Sequence, residues 1–170
     1  LWIPSMGLKD AAIIVVFVAF MLAFPGLLTR NPTLATQERT LKRETEAVGM
    51  TRITRHPFMV GVVLWGVWHA LMTGHSAAVL LFGGMAVLAL IGMVSIDAKR
   101  AQAYGEAWES FASVTSRIPF LAIIKGRNSL RFGEIGLGRI AVGLIIFFVA
   151  LYLHQMLFGV SPLPGGMSFY

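Results

Sequence analysis

Four long apolar blocks alternate with polar, cation-rich stretches along this chain of 170 residues. A helix of about 20 residues crosses the apolar core of a bilayer, and every block is near that length. The pattern predicts membrane helices over residues 11–28, 57–73, 76–96 and 137–160. The second and third are separated only by Gly74-His75, so we expect a tight antiparallel hairpin. The prediction is an all-α fold, a polytopic transmembrane helix bundle that forms a single domain over residues 1–170.

The cations predict how these helices are oriented. Nearly all the lysines and arginines lie in two loops, residues 29–56 and residues 97–136, and none lies in the 74–75 turn or in the tail after residue 160. The positive-inside rule places both loops in the cytoplasm. The N-terminus, the 74–75 turn and the C-terminus then lie outside. We expect an integral protein of a bacterial inner membrane.

Both cytoplasmic loops carry short helical patterns. Residues 37–47 suit a short, strongly charged helix. Residues 97–116 repeat apolar side chains at three- and four-residue spacing, namely Ala101, Tyr104, Trp108 and Phe111. One apolar stripe on an otherwise polar helix is typical of a helix that lies at the membrane surface. Short interfacial helices are therefore expected in both loops.

Composition narrows the classes of function. Hydrophobic residues make up 56% of the chain and charged residues 13%, whereas a soluble domain carries about 25% charged residues. The absence of cysteine excludes disulfides, zinc-thiolate sites and thiol catalysis. Although the net charge of +6 could suit nucleic acid, the cations lie between apolar blocks, so the lipid bilayer is the expected partner and nucleic acid is not. No nucleophile triad, phosphate-binding glycine loop or carboxylate cluster favours a hydrolase or nucleotide enzyme.

Two of the four histidines fall inside predicted membrane helices. His69 lies twelve residues after Pro57, about 18 Å along the helix axis, and His154 lies six residues before Val160. Both are expected in the outer half of the membrane at similar depth, as two axial ligands of a haem are in a helix bundle. An interhelical hydrogen bond or a proton relay would explain the same spacing.

Arg55 and His56 stand just before Pro57, a residue favoured in the first helical position. In a structural interpretation Arg55 is an interfacial anchor. In a chemical one, this cation and imidazole hold an anionic lipid headgroup, a haem propionate or another cofactor carboxylate. Further along, Gly61 and Gly66 would allow a neighbouring helix to approach closely, and His75 is expected to be solvated.

Three segments together resemble the NnrU family of integral membrane proteins, which includes the 15-cis-zeta-carotene isomerases. They are MTRITRHPFMVGVVLWGVWHAL from residue 50, DAKRAQAYGEAWESFASVTSRIPFLAIIKGR from residue 97 and ALYLHQMLFG around His154. The resemblance runs from about Glu46 to the C-terminus. It implies a multi-pass helical protein. Its plant branch consists of haem b enzymes that isomerise the central cis double bond of a carotenoid precursor, and its bacterial branch is associated with nitric oxide and denitrification.

The resemblance also implies roles for particular residues. His69 matches a histidine implicated as an axial haem ligand, and His56 and His154 match family histidines. The implied cofactor is haem b, with His69 and His154 at the iron, Arg55 and His56 as further cofactor-binding residues, and an apolar polyene as ligand. Family members usually have additional N-terminal helices with another histidine implicated in haem binding. Either such a helix precedes this chain, or His154 takes its place, or no haem binds.

A more distant resemblance is to membrane methyltransferases of isoprenylcysteine and phospholipids. The shared positions are Arg55, His56, Pro57 and Gly61, followed by Gly105, Trp108, Phe111, Ile118 and Pro119. Those enzymes have an acidic pair before the second motif, where this chain has only Asp97. Three hypotheses follow: a haem-dependent isomerase, a non-catalytic accessory or assembly subunit of a membrane complex, and a methyltransferase that binds S-adenosylmethionine near Arg55, His56 and Asp97.

Overall fold

A computed structural model describes residues 1–3, 6–42 and 46–163, and these form helices and connecting loops without a strand. The prediction of an all-α fold is therefore confirmed. In chain order the helices are α1 Met6–Leu28, a 3-10 helix Glu38–Lys42, α2 Met50–Ile53, α3 Pro57–Thr73, α4 Ser76–Tyr104, α5 Glu106–Val114, α6 Leu121–Ile124, α7 Phe132–Ile135 and α8 Leu137–Phe158.

Three helices, α1, α4 and α8, are long and apolar enough to cross a membrane. The fourth predicted span is present as α3, whose bounds match the prediction but whose 17 residues make it shorter than the others. At 1.5 Å per residue it extends for about 26 Å. Its C-terminus turns at Gly74, which has a φ of 61°, and α4 follows at once. The chain is thus an integral membrane protein with the predicted α3–α4 hairpin.

The long helices lie side by side in the order α4, α3, α1, α8. Two glycines of α3 allow its neighbours to come close. A Cβ atom at Gly61 would lie 2.6 Å from the carbonyl oxygen of Ala19 in α1, and one at Gly66 would lie 2.6 Å from that of Phe82 in α4. Both distances are shorter than van der Waals contact, so only glycine fits these two helix crossings.

α8 packs on the other side of α1 by the same means. A Cβ atom at Gly143 would lie 2.6 Å from the Met21 side chain and 3.2 Å from that of Pro25. One turn later, the ring of Phe147 meets the rings of Phe17 and Phe20 edge-on, with centroid distances of 5.2 and 5.7 Å. α1 therefore joins α3 and α8, whereas α4 packs on α3.

The prediction of one surface helix over residues 97–116 is wrong. α4 continues to Tyr104, the chain bends at Gly105, which has a φ of 47°, and α5 begins at Glu106. Trp108 and Phe111 are buried against Leu41 of the 3-10 helix, with Tyr104 beside them, while Ala101 is exposed. Most of the stripe packs on the protein itself because the loop after α1 folds back over α5.

Other boundaries differ by smaller amounts. α1 begins at Met6, five residues before the predicted start, and α8 ends two residues before the predicted end. The charged helix expected over residues 37–47 is a 3-10 helix over Glu38–Lys42, and residues 43–45 lie outside the described part of the chain. Helix ends are the least predictable part of a helix, because hydrophobic periodicity does not encode them.

Replacing Gly61 with alanine tests the α1–α3 crossing. The added methyl group would force α1 away from α3, and overpacking of this kind costs about 1–3 kcal/mol. Gly83→Ala is the matched control, because a Cβ atom at Gly83 in α4 meets nothing within 4 Å. Thermal unfolding in detergent should show a clear loss of stability for Gly61→Ala and no loss of stability for Gly83→Ala. Equal stability of the two variants would contradict the close crossing.

Candidate functional site

At the loop end of the helices, the carboxylate of Asp97 is shared by one histidine and two arginines. Its Oδ1 lies 2.7 Å from Nε2 of His56, and its Oδ2 lies 2.8 Å from Nε of Arg117 and 3.4 Å from Nη1 of Arg55. Asp97 and His56 are buried, whereas the Arg117 side chain is 49% exposed. One carboxylate thus joins α4 to the residues before α3 and to the loop after α5.

Arg55 makes further contacts to the protein around it. Its Nη2 donates hydrogen bonds to the carbonyls of Ala112 (3.2 Å) and Thr115 (3.1 Å), and its guanidinium lies over the ring of Trp108 at 5.6 Å. Burial lowers the pKa of Arg55, and the neighbouring Asp97 partly offsets this. Its Nε is buried without a hydrogen-bond partner in the described part of the chain. The Arg55 side chain therefore holds α5 beside the start of α3, and its Nε remains as a free hydrogen-bond donor.

The backbone of Arg55 completes this junction. Its N–H donates to the carbonyl of Ser116 at 2.8 Å. Its own carbonyl accepts from Nδ2 of Asn31 (3.0 Å) and from the hydroxyl of Thr33 (2.9 Å). Asn31 and Thr33 are buried in the loop after α1. The two polar loops, residues 29–56 and 97–136, therefore meet at one residue.

A second ion pair lies at the same end of the molecule. Nε and Nη2 of Arg52 in α2 donate to the two carboxylate oxygens of Glu134 in α7, at 2.7 and 2.9 Å, and the N–H of Gly49 donates to Oε2 at 3.0 Å. These hydrogen bonds, led by that from Arg52, lower the pKa of Glu134 to about 2. The pair joins the residues before α3 to those before α8.

At the opposite end of α3, backbone and aromatic contacts fix the ring of His69. Its Nδ1 lies 2.8 Å from the carbonyl oxygen of Trp65, and its ring lies 4.6 Å from that of Trp65 and 5.1 Å from that of Phe82, between centroids. A carbonyl can only accept, so Nδ1 carries the proton. In the neutral ring, Nε2 then has a free lone pair.

His154, near the end of α8, has the same arrangement. Its Nδ1 lies 2.8 Å from the carbonyl oxygen of Val160, and its ring lies 5.0 Å from that of Phe158. Nδ1 is again the donor, and Nε2 keeps its lone pair. Backbone carbonyls thus select one tautomer in both membrane histidines, as carbonyl and carboxylate groups often do when they accept the second N–H of a histidine that binds a metal.

The helix contacts bring these two histidines to one level. Gly61 faces Ala19 and Ala23 of the antiparallel α1, so His69, eight residues further out, corresponds to about Ile13 at equal rise per residue. Gly143 faces Met21 and Pro25, so His154, eleven residues further out, corresponds to about Ala12. By this count, His69 and His154 lie at the level of the same turn of α1, on the two helices that contact it.

The structure does not bring Arg55 and His56 together with these two histidines. His56 and His69 are thirteen residues apart at opposite ends of α3, which corresponds to about 20 Å. The predicted site residues therefore form two groups, one at the loop end and one at the far end. His75 is exposed in the α3–α4 turn, as expected.

Sequence reasoning missed Arg117 and Glu134, and it gave Asp97 a role only in the methyltransferase hypothesis, which correctly expected Asp97 near Arg55 and His56. One signal was available. Asp97 is the only acidic residue between Glu46 and Glu106, and Glu134 is the only one after Glu109. Isolated carboxylates among many cations are the natural partners of any arginine that becomes buried.

The donor chemistry at His69 and His154 fits haem better than a bare metal ion. The described residues contain no group of three or more histidine, cysteine, aspartate or glutamate side chains that could hold a metal. A haem needs only axial ligands from the protein, because its macrocycle supplies the other donors to the iron. Two imidazoles with free Nε2 atoms meet that requirement.

Replacing Asp97 with asparagine should destabilise the loop end. The amide keeps the shape but removes the charge that Arg55, His56 and Arg117 share, and an uncompensated buried cation costs about 3 kcal/mol. Arg131→Gln is the control, because it removes only an exposed ion pair with Glu134, worth at most about 1 kcal/mol. Chemical unfolding in detergent measures the loss of stability in each of the two variants. A loss for Asp97→Asn no larger than that for the control would contradict the assigned role.

The ion pair between Arg52 and Glu134 should make the free energy of unfolding depend on pH in the acid range. Because the pKa of Glu134 is lowered to about 2 from its usual 4.5, the ionised carboxylate stabilises the fold above the usual value. This contribution is lost as the pH falls from 4.5 through 2. Over that pH range, the free energy of unfolding should therefore change less in Glu134→Gln than in the unmodified protein. An unchanged acid dependence in this variant would contradict the assignment.

Comparison with known proteins gives matches along most of the chain. The sequence profile of a family described as NnrU protein matches residues 1–162. Two curated relatives are named 15-cis-zeta-carotene isomerase, chloroplastic. The Arabidopsis thaliana protein is 35% identical over 124 residues, 73% of this chain and 33% of the relative. The Zea mays protein is 38% identical over 115 residues, 67% of this chain and 31% of the relative.

The chain thus spans about a third of the length of these relatives. No solved structure matches it significantly. The profile nevertheless includes α1, the loop-end cluster and both membrane histidines. This chain belongs to the NnrU family of membrane proteins.

Proposed function

We propose that this chain forms the haem-binding part of a membrane isomerase that converts a cis double bond of an apolar polyene to trans. The observation that carries the proposal is the pair His69 and His154. Counted along their helices, both residues lie at the level of the same turn of α1, and both have Nδ1 bound to a backbone carbonyl at 2.8 Å. Free imidazole nitrogens at one depth, on two membrane helices that both contact α1, are suited to axial ligation of haem b.

The relatives support the chemical class of the substrate. Both are named as isomerases of a cis carotene, and such a molecule dissolves in the bilayer rather than in water. Apolar side chains around His154, including Val149, Met156 and Phe158, are exposed toward the surrounding membrane. A polyene could therefore reach the histidine pair laterally, without crossing the polar loops.

His69 and His154 would hold the cofactor and set its environment. Trp65 and Phe82 restrain the His69 ring, which keeps its Nε2 aimed in one direction. Haem iron, when bound, supplies a Lewis-acid or one-electron centre, so the isomerisation needs no acid–base pair from the protein.

Arg55 and His56 would act at a distance, as positioning residues. Their hydrogen bonds to Asp97 fix where α3 begins relative to α4, and the start of α3 determines the depth of His69. The distribution of cations supports a topology with both polar loops in the cytoplasm. In a bacterial cell the protein would lie in the inner membrane, whereas the curated relatives are named as chloroplastic.

A second candidate is a non-catalytic subunit of a membrane complex, including one that metabolises nitric oxide. The observation that favours it is the long exposed apolar surface of α4, which packs only against α3 among the long helices. Its exposed residues are Leu80, Leu81, Val87, Leu88, Ile91 and Val94. Such a surface suits a helical partner as well as lipid. For an S-adenosylmethionine-dependent methyltransferase, the free Nε of Arg55 is the only comparable support.

Absorption spectra test the haem proposal. The purified chain, supplied with haem b in detergent, should show a Soret band and sharp visible bands on reduction. His69→Ala and His154→Ala should weaken haem binding or change the spectrum to that of a five-coordinate haem. His75→Ala is the matched control, because His75 is exposed in the α3–α4 turn. A spectrum that is equally affected by His75→Ala, or no haem binding at all, would contradict the proposal.

The isomerase activity has its own test. Vesicles that contain the haem-loaded protein and 15-cis-zeta-carotene should accumulate the trans isomer at the central bond, as chromatography would show. His69→Ala should abolish this and His75→Ala should not. Haem binding without conversion would leave the cofactor site in place and would favour the accessory-subunit hypothesis.

A further inference from the structure

The loop between α5 and α8 leaves large apolar side chains uncovered outside the membrane helices. Among residues 118–132, four of them are 46–78% exposed: Ile118, Phe120, Ile124 and Phe132. Soluble surfaces rarely gather so many large apolar side chains within a short segment. In a membrane protein, they indicate contact with the bilayer boundary when the backbone holds them on one side.

The backbone does hold two of them on one side. The N–H of Ile124 donates to the carbonyl of Phe120 at 2.9 Å, so these residues lie one turn apart on the same face of α6. Ala122, on the opposite face, is fully buried. The N–H of Phe120 donates to the carbonyl of Ile53 at 2.8 Å. α6 is thus fixed against the protein with Phe120 and Ile124 pointing away from it.

Phe120 occupies its position despite an unfavourable backbone conformation. Its φ is 62°, in the left-handed region that favours glycine or asparagine. A residue of that kind would relieve the strain but would not place an aromatic ring on the outer face. The retained ring is consistent with a function outside the protein's own packing.

Cations predominate beside these side chains, and Arg131 also forms an exposed ion pair with Glu134 at 3.4 Å. Residues 117–131 contain four cations and no carboxylate. Among them, Lys125, Arg127 and Arg131 are exposed. Cations next to apolar side chains at a membrane boundary attract anionic phospholipid headgroups. A membrane with anionic phospholipid provides both negative charge and an apolar interior, whereas a protein partner would need a matching acidic and apolar surface.

The segment also lies where the membrane begins. α8, one of the helices long enough to cross a bilayer, starts at Leu137, shortly after Phe132. α6 packs against α2, which directly precedes α3. We infer that residues 118–132 form an interfacial anchor that inserts Phe120 and Ile124 into the bilayer boundary and binds anionic phospholipid through Lys125 and Arg131. This inference goes beyond the proposed isomerase function and does not depend on it.

The depth of Ile124 in the membrane tests the first half of the inference. Because the chain has no cysteine, Ile124→Cys can carry a single nitroxide label in vesicles of equal parts phosphatidylcholine and phosphatidylglycerol. Ser110→Cys, on the exposed face of α5, is the control. The label at 124 should collide more often with oxygen than with a water-soluble nickel chelate, and the label at 110 should do the reverse. A label at 124 as accessible to nickel as that at 110 would overturn the anchor and leave the patch to a protein partner.

Lipid binding tests the second half. Binding of phosphatidylglycerol to the detergent-purified protein is measured by native mass spectrometry for Lys125→Gln/Arg131→Gln and for the control Lys99→Gln on α4. The affinity should fall about fivefold for each cation removed from the anchor. The control should bind as the unmodified protein does. Equal affinity of the double variant and the control would overturn the anionic-lipid assignment.

Discussion

Close packing of α1 against α3 and α8 is the constraint on which the rest of the structure depends. Glycines at the two crossings, Gly61 and Gly143, bring each helix within contact of α1. Such a close fit permits only one register along each pair, because sliding by a residue would place a side chain against a backbone that has no room for it. The fixed registers then determine the depth of every other residue on α3 and α8, including His69 and His154.

The polar loops stabilise the fold through ion pairs and hydrogen bonds rather than through close packing of helices. In a bilayer the helices gain little from hydrophobic association, since lipid is as apolar as their own side chains. At the loop end, however, Asp97 and Glu134 hold buried or partly buried arginines through several hydrogen bonds each. These contacts link α4 to α3 and α7 to α2. Packing of α1 sets the register within the membrane, and the two carboxylates keep the helix starts aligned with it.

Much of the fold could be predicted from the length and spacing of the apolar blocks. The bounds of α3, its hairpin with α4 and the close approach at Gly61 and Gly66 follow from local sequence. Local sequence could not show that α5 packs on the 3-10 helix, because an amphipathic stripe has the same pattern whether it meets lipid or protein. The apolar residues of 118–132 lack helical periodicity, which hid their exposure.

The candidate site was only partly predictable. The depths of His69 and His154 follow from counting residues along two helices. Their shared tautomer depends on the carbonyls of Trp65 and Val160, which no side-chain pattern encodes. The separation of Arg55 and His56 from these histidines follows from helix geometry alone. Arg55 and His56 were expected near Asp97 only in the methyltransferase hypothesis, because hydrophobic periodicity does not encode the polar contacts that join them.

The central claim is that His69 and His154 lie at one level on either side of α1, and a distance measurement tests it most directly. Nitroxide labels at His69→Cys and His154→Cys, in a chain that has no other cysteine, report that separation by pulsed electron spin resonance. Two successive helix contacts correspond to about 20 Å or less between the helix axes. A distance in that range is expected. A distance of about 25 Å or more, as a register difference of ten residues would produce, would contradict the paired site.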